Sequence, residues 1–186
     1  EAVLVFRERY LAELAKRANG QAFITDKMPQ NFRYIALICA AFPEAKIIHV
    51  QRNAKATCWS NFKHYFASKS LGYSYKLADT VEYYGLYKDL MHFWSQSHSD
   101  RIYNLDYDKL TEDQEPQILR LIEYLELNWQ DACLTPQKNK RAVKTASQQQ
   151  IRQRVYTGSS QAWIKYEPFL GGVFDGLEAQ SEPPFK

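Results

Sequence analysis

Lys46-Ile-Ile-His-Val50 is a compact β-branched run that passes almost at once into a helical segment. β-Branched side chains suit a pleated, half-buried surface, so the run reads as a buried strand. Asn53 is a good capping residue for a helix over about 54–67. Two more strand candidates, at 22–25 and 101–105, alternate with helical patterns. Strands alternating with helices point to an α/β layer around a parallel sheet. Three strands make a thin sheet for 186 residues, so strands are either unrecognised or absent.

The helical segments are read from apolar spacing. Val3, Phe6, Tyr10 and Leu14 mark a helix over 2–18, stopped by Asn19-Gly20. An apolar helix over 31–42 lies between Pro29 and Pro43. After a turn at 71–75, Leu77, Val81, Tyr84, Tyr87, Met91 and Trp94 form one stripe along a helix over 77–97. Pro116 suits the first turn of a further helix with Ile118, Leu121, Ile122 and Leu125 inside. A short helical turn is expected at 129–134. The polar, Gln-rich stretch 135–150 reads as a flexible loop, followed by short helices at 149–156 and 160–170. The segment 171–186, with Gly-Gly and Pro-Pro, reads as a loosely packed tail.

Composition excludes several classes. Hydrophobic residues at 45% and charged residues at 24% are globular values, so a disordered tail, a collagen repeat and a disulfide miniprotein are excluded. Lys plus Arg at 24 against Asp plus Glu at 21 leaves +3, too mild a charge to imply nucleic-acid binding. Cys39, Cys58 and Cys133 form no CxxC pair, the usage of reduced thiols in a cytoplasmic protein. The longest apolar run, 35–42, is far short of a membrane span. No signal peptide opens the chain, and the first residue is not Met, so residue 1 is not expected to be the natural start.

Three segments carry candidate chemistry. In the first, Arg52 stands just past a strand end, where open α/β sheets bind ligands. An Arg there can fork onto a phosphate, and Ser60, two helical turns on, adds a hydroxyl. The plainer reading, an Arg52 salt bridge and a surface Ser60, stands beside it. In the second, Thr25-Asp26-Lys27-Met28-Pro29, Lys27 could neutralise an oxyanion, or simply sit in a solvated turn. The third, late segment contains Arg152, Arg154, Ser159, Ser160 and Trp163. It is rich enough in donors to fold over an anion, and equally fits a solvated face. His49, His64, His92 and His98 have no metal-ligand spacing, and no metal is expected. His49, in mid-strand, reads as a hydrogen-bonded core residue.

Taken together, these segments resemble the sulfotransferase superfamily. The chain is most similar to the branch that holds protein-tyrosine sulfotransferases and bacterial sulfotransferases with tetratricopeptide repeats. The landmarks are Asp26-Lys-Met-Pro-Gln-Asn-Phe32, Phe42-Pro-Glu-Ala-Lys-Ile-Ile-His-Val-Gln-Arg52 with Ser60, Asp106-Tyr-Asp-Lys-Leu110, Thr145-Ala-Ser147 and Ser160-Gln-Ala-Trp163, in family order over about 20–170. The resemblance implies a P-loop-like α/β fold and the donor 3′-phosphoadenosine 5′-phosphosulfate, with a hydroxyl or phenol acceptor. It implies that Arg52 and Ser60 hold the 3′-phosphate and that Tyr107 lies near the nucleotide. Lys27 would stand at the transferring sulfuryl group and Ser147 at the bridging oxygen. The segment with Arg152, Arg154 and Trp163 would close on the nucleotide.

The chain departs from that pattern in places. The family's glycine-rich donor loop and the strand before it are missing upstream of Asp26, and no general base can be assigned. Residues 1–170 are therefore expected to be a partial catalytic domain, inactive alone. Ala56 and Asp108 replace a common Asp and a common Glu. Ala162 stands where the tyrosine-sulfotransferase group has Lys, which weakens tyrosine as an acceptor. A non-catalytic nucleotide-binding or interaction protein, keeping only the 3′-phosphate half-site, is the alternative. Nucleic-acid binding through Lys138, Lys140, Arg141, Lys144, Arg152 and Arg154 is weaker still. The acceptor and the oligomeric state are not legible.

Overall fold

The computed structural model describes residues 1–18, 20–66, 69–139 and 152–178. Seven α-helices and two strands are found among them. In order these are α1 (Ala2–Ala18), α2 (Ile35–Ala41), β1 (Ile47–Gln51), α3 (Ala54–Phe62), α4 (Leu77–Ser97), β2 (Ile102–Asp106), α5 (Tyr107–Glu112), α6 (Gln114–Tyr124) and α7 (Asp175–Glu178). The fold is helix-rich α/β with a small parallel sheet of order β1-β2. None of the described helices is long and apolar enough to cross a membrane. Contacts divide the chain into two compact units, Glu1–Ile47 with Tyr87–Ile102, and Ile48–Leu86 with Tyr103–Lys186.

In the first unit α1 packs on α2 through rings and one cation. Phe6, Tyr10 and Phe42 stack with centroids 5.0 to 5.9 Å apart. Arg7 donates to the Ala41 carbonyl at 2.7 Å and forks onto Glu44 at 2.9 and 2.6 Å. The Trp94 indole donates to the Phe32 carbonyl at 2.8 Å, and Arg101 donates to the carbonyls of Phe42 and Ala45. The Tyr10 hydroxyl donates to Asp26. Burial first, and then the Asp26 carboxylate, push this phenol up to about 12. The exposed stretch that carries Lys27 is thus tied to α1 one residue before the lysine.

Segment 22–25, expected to be a strand, is not one. A strand needs a hydrogen-bonded neighbour, and the sheet contains only β1 and β2 among the described residues. Phe23 is 74% exposed, as befits an unpaired extended stretch. The expected helix over 31–42 is also split. Pro29 opens a 3-10 helix, Pro29–Tyr34, without a side-chain cap, and α2 follows. Phe32 and Tyr34 are poor α-helix formers, which suits the tighter turn.

The second unit is built on a core of Ala56, Cys58, Trp163, Phe174 and Leu177, with Leu77, Val81, Tyr84 and Leu170 packed against it. Trp163 meets Phe174 edge to face at 5.4 Å. Cys58 is fully buried, its thiol pushed up to about 12 by desolvation. The expected helix 160–170 is two 3-10 helices, Ser159–Gln161 and Ile164–Phe169, because Pro168 cannot donate to a regular α-helical ladder. Residues 171–178 of the expected loose tail are packed, since Phe174, just before α7, and Leu177, on α7, enter the core. Residues 179–186 lie outside the described residues, as do 140–151 of the expected flexible loop. Of the short helix expected over 149–156, residues 153–156 are not helical.

His49 of β1 is hydrogen-bonded across the sheet to Asn104 of β2 at 2.9 Å. Desolvation holds its imidazole below the ordinary value of 6.5, with the Asn104 bond opposing in part. The fold therefore favours the neutral ring.

Truncating Phe174 to Ala should cost about 3 kcal/mol or more in urea unfolding, the usual effect of emptying a packed aromatic site. A loss below about 0.5 kcal/mol would return this stretch to the class of surface positions. The His49 contribution has a definite sign. The unfolded imidazole takes a proton near 6.5 and the folded one only at lower pH, so stability is full above 6.5 and falls as pH drops towards the folded value. The His49→Gln variant should lose part of that acid-side slope between about pH 7 and 5, measured by urea midpoints at each pH.

Candidate functional site

The two parallel strands end side by side, and the residues after each end meet as matched pairs. One residue past β1 is Arg52, and one past β2 is Tyr107. The guanidinium lies over that ring, 5.3 Å from its centroid. Two residues past β1 is Asn53, and two past β2 is Asp108. The Asn53 N–H donates to Asp108 Oδ2 at 2.9 Å. Each junction also caps the helix that follows. The Asn53 side chain accepts from the Ala56 N–H at 3.0 Å. Asp106 accepts from the N–H groups of Asp108 and Lys109 at 2.9 and 3.1 Å. Strand thus passes into helix with almost no loop, and α3 and α5 start at the same edge of the sheet.

A third segment closes on this edge. Gly158, at φ +82°, sits in a backbone region that ordinary side chains rarely enter, and the 3-10 turn Ser159–Gln161 follows it. The turn brings the Ser160 hydroxyl to Arg52, whose Nε donates to it at 2.8 Å. Ser160 in turn donates to Asp108 Oδ1.

Above these contacts lies an open cleft of about 580 Å³, within the usual range for small-molecule sites. Arg52, Ser60 and Tyr107 line it, as do Lys63 and His64 and the loop residues Tyr156 to Ser159. Its donors are uncommitted. Among the described residues the Arg52 Nη groups, the Ser60 hydroxyl and the Lys63 ammonium have no hydrogen bond or ion pair. Three free donors around one cleft suit a multiply charged anion with several acceptor oxygens.

The expected site residues are distributed as follows. Arg52, Ser60 and Tyr107 come together at the cleft. Trp163 lies in the core of the same unit, with the Lys55 ammonium 4.9 Å from its ring centroid. Arg152 and Arg154 are exposed, just before the loop residues that line the cleft. Lys27 is exposed in the first unit. Ser147 lies outside the described residues, as do Lys140, Arg141 and Lys144.

Lys63 and Phe66 were not singled out in the sequence, and His64 was noted only as a histidine without metal-ligand spacing. The expected helix ran to 67, but α3 stops at Phe62, and the chain turns so that these side chains face the cleft. The signal was present in Phe62, His64, Tyr65 and Phe66, a run of poor helix formers. The His64 N–H closes the stop by bonding back to the Asn61 carbonyl at 3.3 Å.

An α/β unit with a donor-rich cleft at the carboxyl edge of its parallel strands is chemically suited to an anionic ligand. The chain belongs to the sulfotransferase family, whose family model matches residues 3–131, more than half its length. That match contains Lys27, Arg52, Ser60 and Tyr107, while the loop at 156–162 lies beyond its end. The chain is also 38% identical over 188 residues to an uncharacterized protein of Aquifex aeolicus (strain VF5). The alignment covers 96% of this chain and 25% of that protein, so the chain spans about a quarter of the relative's length.

The Asn53 cap sets where α3 begins and so where Ser60 and Lys63 stand. The Asn53→Ala variant should lose about 1 kcal/mol of stability in urea unfolding, the usual cost of an N-cap side chain. Retention of full stability would show that the Asn53 side chain contributes nothing at this helix start.

Proposed function

We propose that the cleft binds the 3′-phosphate end of 3′-phosphoadenosine 5′-phosphosulfate and that the chain is part of a sulfotransferase using this donor on a hydroxyl or phenol. The observation that carries this reading is the set of donors uncommitted among the described residues, Arg52 Nη, Ser60 Oγ and Lys63 Nζ, around one cleft. Membership of the sulfotransferase family supports the donor class. The residues fit such a group. A phosphate oxygen pair matches the free end of a guanidinium, and a hydroxyl and an ammonium can take the remaining oxygens.

The donor supplies an activated sulfuryl group whose leaving group is a phosphate. Transfer of this kind resembles phosphoryl transfer, in which positioning and charge stabilisation carry most of the catalysis. Arg52, Ser60 and Lys63 would fix the nucleotide at a point remote from the reacting bond. Binding energy gained there orients the sulfuryl group. Tyr107 braces the Arg52 guanidinium from one face. On the same reading Lys27 serves the transferring group, Ser147 the bridging oxygen, and the segment with Arg152, Arg154 and Trp163 frames the nucleotide.

The test is calorimetric titration of the chain with 3′-phosphoadenosine 5′-phosphate, with 5′-AMP as the ligand lacking the 3′-phosphate. Tighter binding of the bisphosphate is expected. The Arg52→Ala variant should lose roughly 30- to 150-fold in bisphosphate affinity, equivalent to about 2–3 kcal/mol for a charge-assisted fork. Equal affinity for the two nucleotides, or an unchanged bisphosphate affinity in a folded Arg52→Ala variant, would refute the reading.

A further inference from the structure

We propose that Asp108 is a positioning residue for Arg52, acting through the Ser160 hydroxyl, and that it sets the part of nucleotide affinity that depends on the 3′-phosphate. This rests on the reading of the cleft given above.

The direction of each bond is forced by chemistry. Arg52 Nε–H can only donate, so Ser160 Oγ accepts it at 2.8 Å. The single Ser160 hydroxyl proton is then left to point at Asp108 Oδ1, and a carboxylate accepts. The other oxygen, Oδ2, accepts the Asn53 N–H at 2.9 Å. Both oxygens of one carboxylate are thus committed, to two different segments of the chain. Asp108 itself is held at the start of α5, where its N–H bonds to Asp106.

The arrangement orients Arg52 without occupying its Nη groups. A direct Asp–Arg fork would occupy the two guanidinium nitrogens best suited to phosphate. Here the hydroxyl stands between the charges, and no Arg52–Asp108 ion pair forms. Among the described residues only Nε is occupied, Tyr107 lies under one face, and the four Nη protons are left for a ligand. The same carboxylate anchors the turn Ser159–Gln161, whose first residue lines the cleft, and the Asn53 backbone at the start of α3, which carries Ser60. Loss of Asp108 would free the Ser160 hydroxyl to rotate and the guanidinium to swing, with no direct contact to a ligand removed.

The experiment compares affinities for 3′-phosphoadenosine 5′-phosphate and 5′-AMP in the unaltered chain and in Asp108→Ala, Ser160→Ala and Ser160→Thr. The ratio of the two affinities isolates the 3′-phosphate increment. Asp108→Ala and Ser160→Ala should each shrink that ratio at least tenfold while 5′-AMP affinity changes little. The double variant should lose no more than either single one, because the two act in series. Ser160→Thr, which keeps the hydroxyl, should retain the ratio. A general structural role would lower both affinities together and would overturn the proposal, as would a full ratio in folded Asp108→Ala. If Asp108→Ala does not fold, Ser160→Ala decides, since Ser160 stands on a half-exposed turn. Absence of any 3′-phosphate preference in the unaltered chain would instead remove the reading of the cleft, and this proposal with it.

Discussion

Everything at the cleft depends on two parallel strands that end in register. Because β1 and β2 run the same way, the residues that follow them emerge at one edge. The equal offsets then pair Arg52 with Tyr107 and Asn53 with Asp108. A slip of one strand by a single residue would exchange these partners and turn each side chain to the opposite face. The cross-strand bond between His49 and Asn104 holds the register from within the sheet. Position in the chain becomes chemistry through that pairing, with no long loop between.

The core beneath supplies the rigidity that the pairing alone lacks. Two short strands cannot hold a site by their own hydrogen bonds. Trp163, Phe174 and Leu177 pack on Ala56 and Cys58 of α3, so the helix carrying Ser60 rests on the segment that follows the Ser160 turn. Burying an aromatic ring contributes several kcal/mol, against about one for a single hydrogen bond. The apolar contacts thus hold α3 in place, and the polar contacts aim the donors. Trp163, on this account, supports the cleft from below.

Much of this was legible in the sequence, and the exceptions have physical causes. The long helix α4 matched its apolar stripe, because 21 residues of period leave little ambiguity. β1 was legible from β-branching, the Asn53 cap from its side chain and β2 as a strand candidate; Arg52 was legible from its place after a strand end and Ser60 from its spacing along the helix, whereas Tyr107 came only from the family resemblance. Segment 22–25 has strand composition but no partner, and pairing is a tertiary property that composition does not carry. The end of α3 was set five residues too late, which concealed Lys63 and His64. The Asp108–Ser160–Arg52 connection includes a bond between residues 108 positions apart, Arg52 and Ser160, a closure that no local pattern encodes. Phe174 and Leu177 were missed because Gly-Gly and Pro-Pro on either side outweighed two isolated apolar residues.

The hydroxyl that separates Asp108 from Arg52 has a further effect, felt before any ligand arrives. Asp108, one hydroxyl away, still offsets part of the Arg52 charge, but the hydroxyl bond holds only Nε and leaves the Nη groups open, among the described residues, on a lining that also carries the Lys63 ammonium. Two cations at the mouth of one cleft draw anions from about a Debye length away, near 8 Å at physiological salt. The encounter rate of an anionic ligand, rather than its residence time, is then the quantity most sensitive to ionic strength. The serine thus leaves the Nη groups of Arg52 open to an arriving anion as well as to one held at contact.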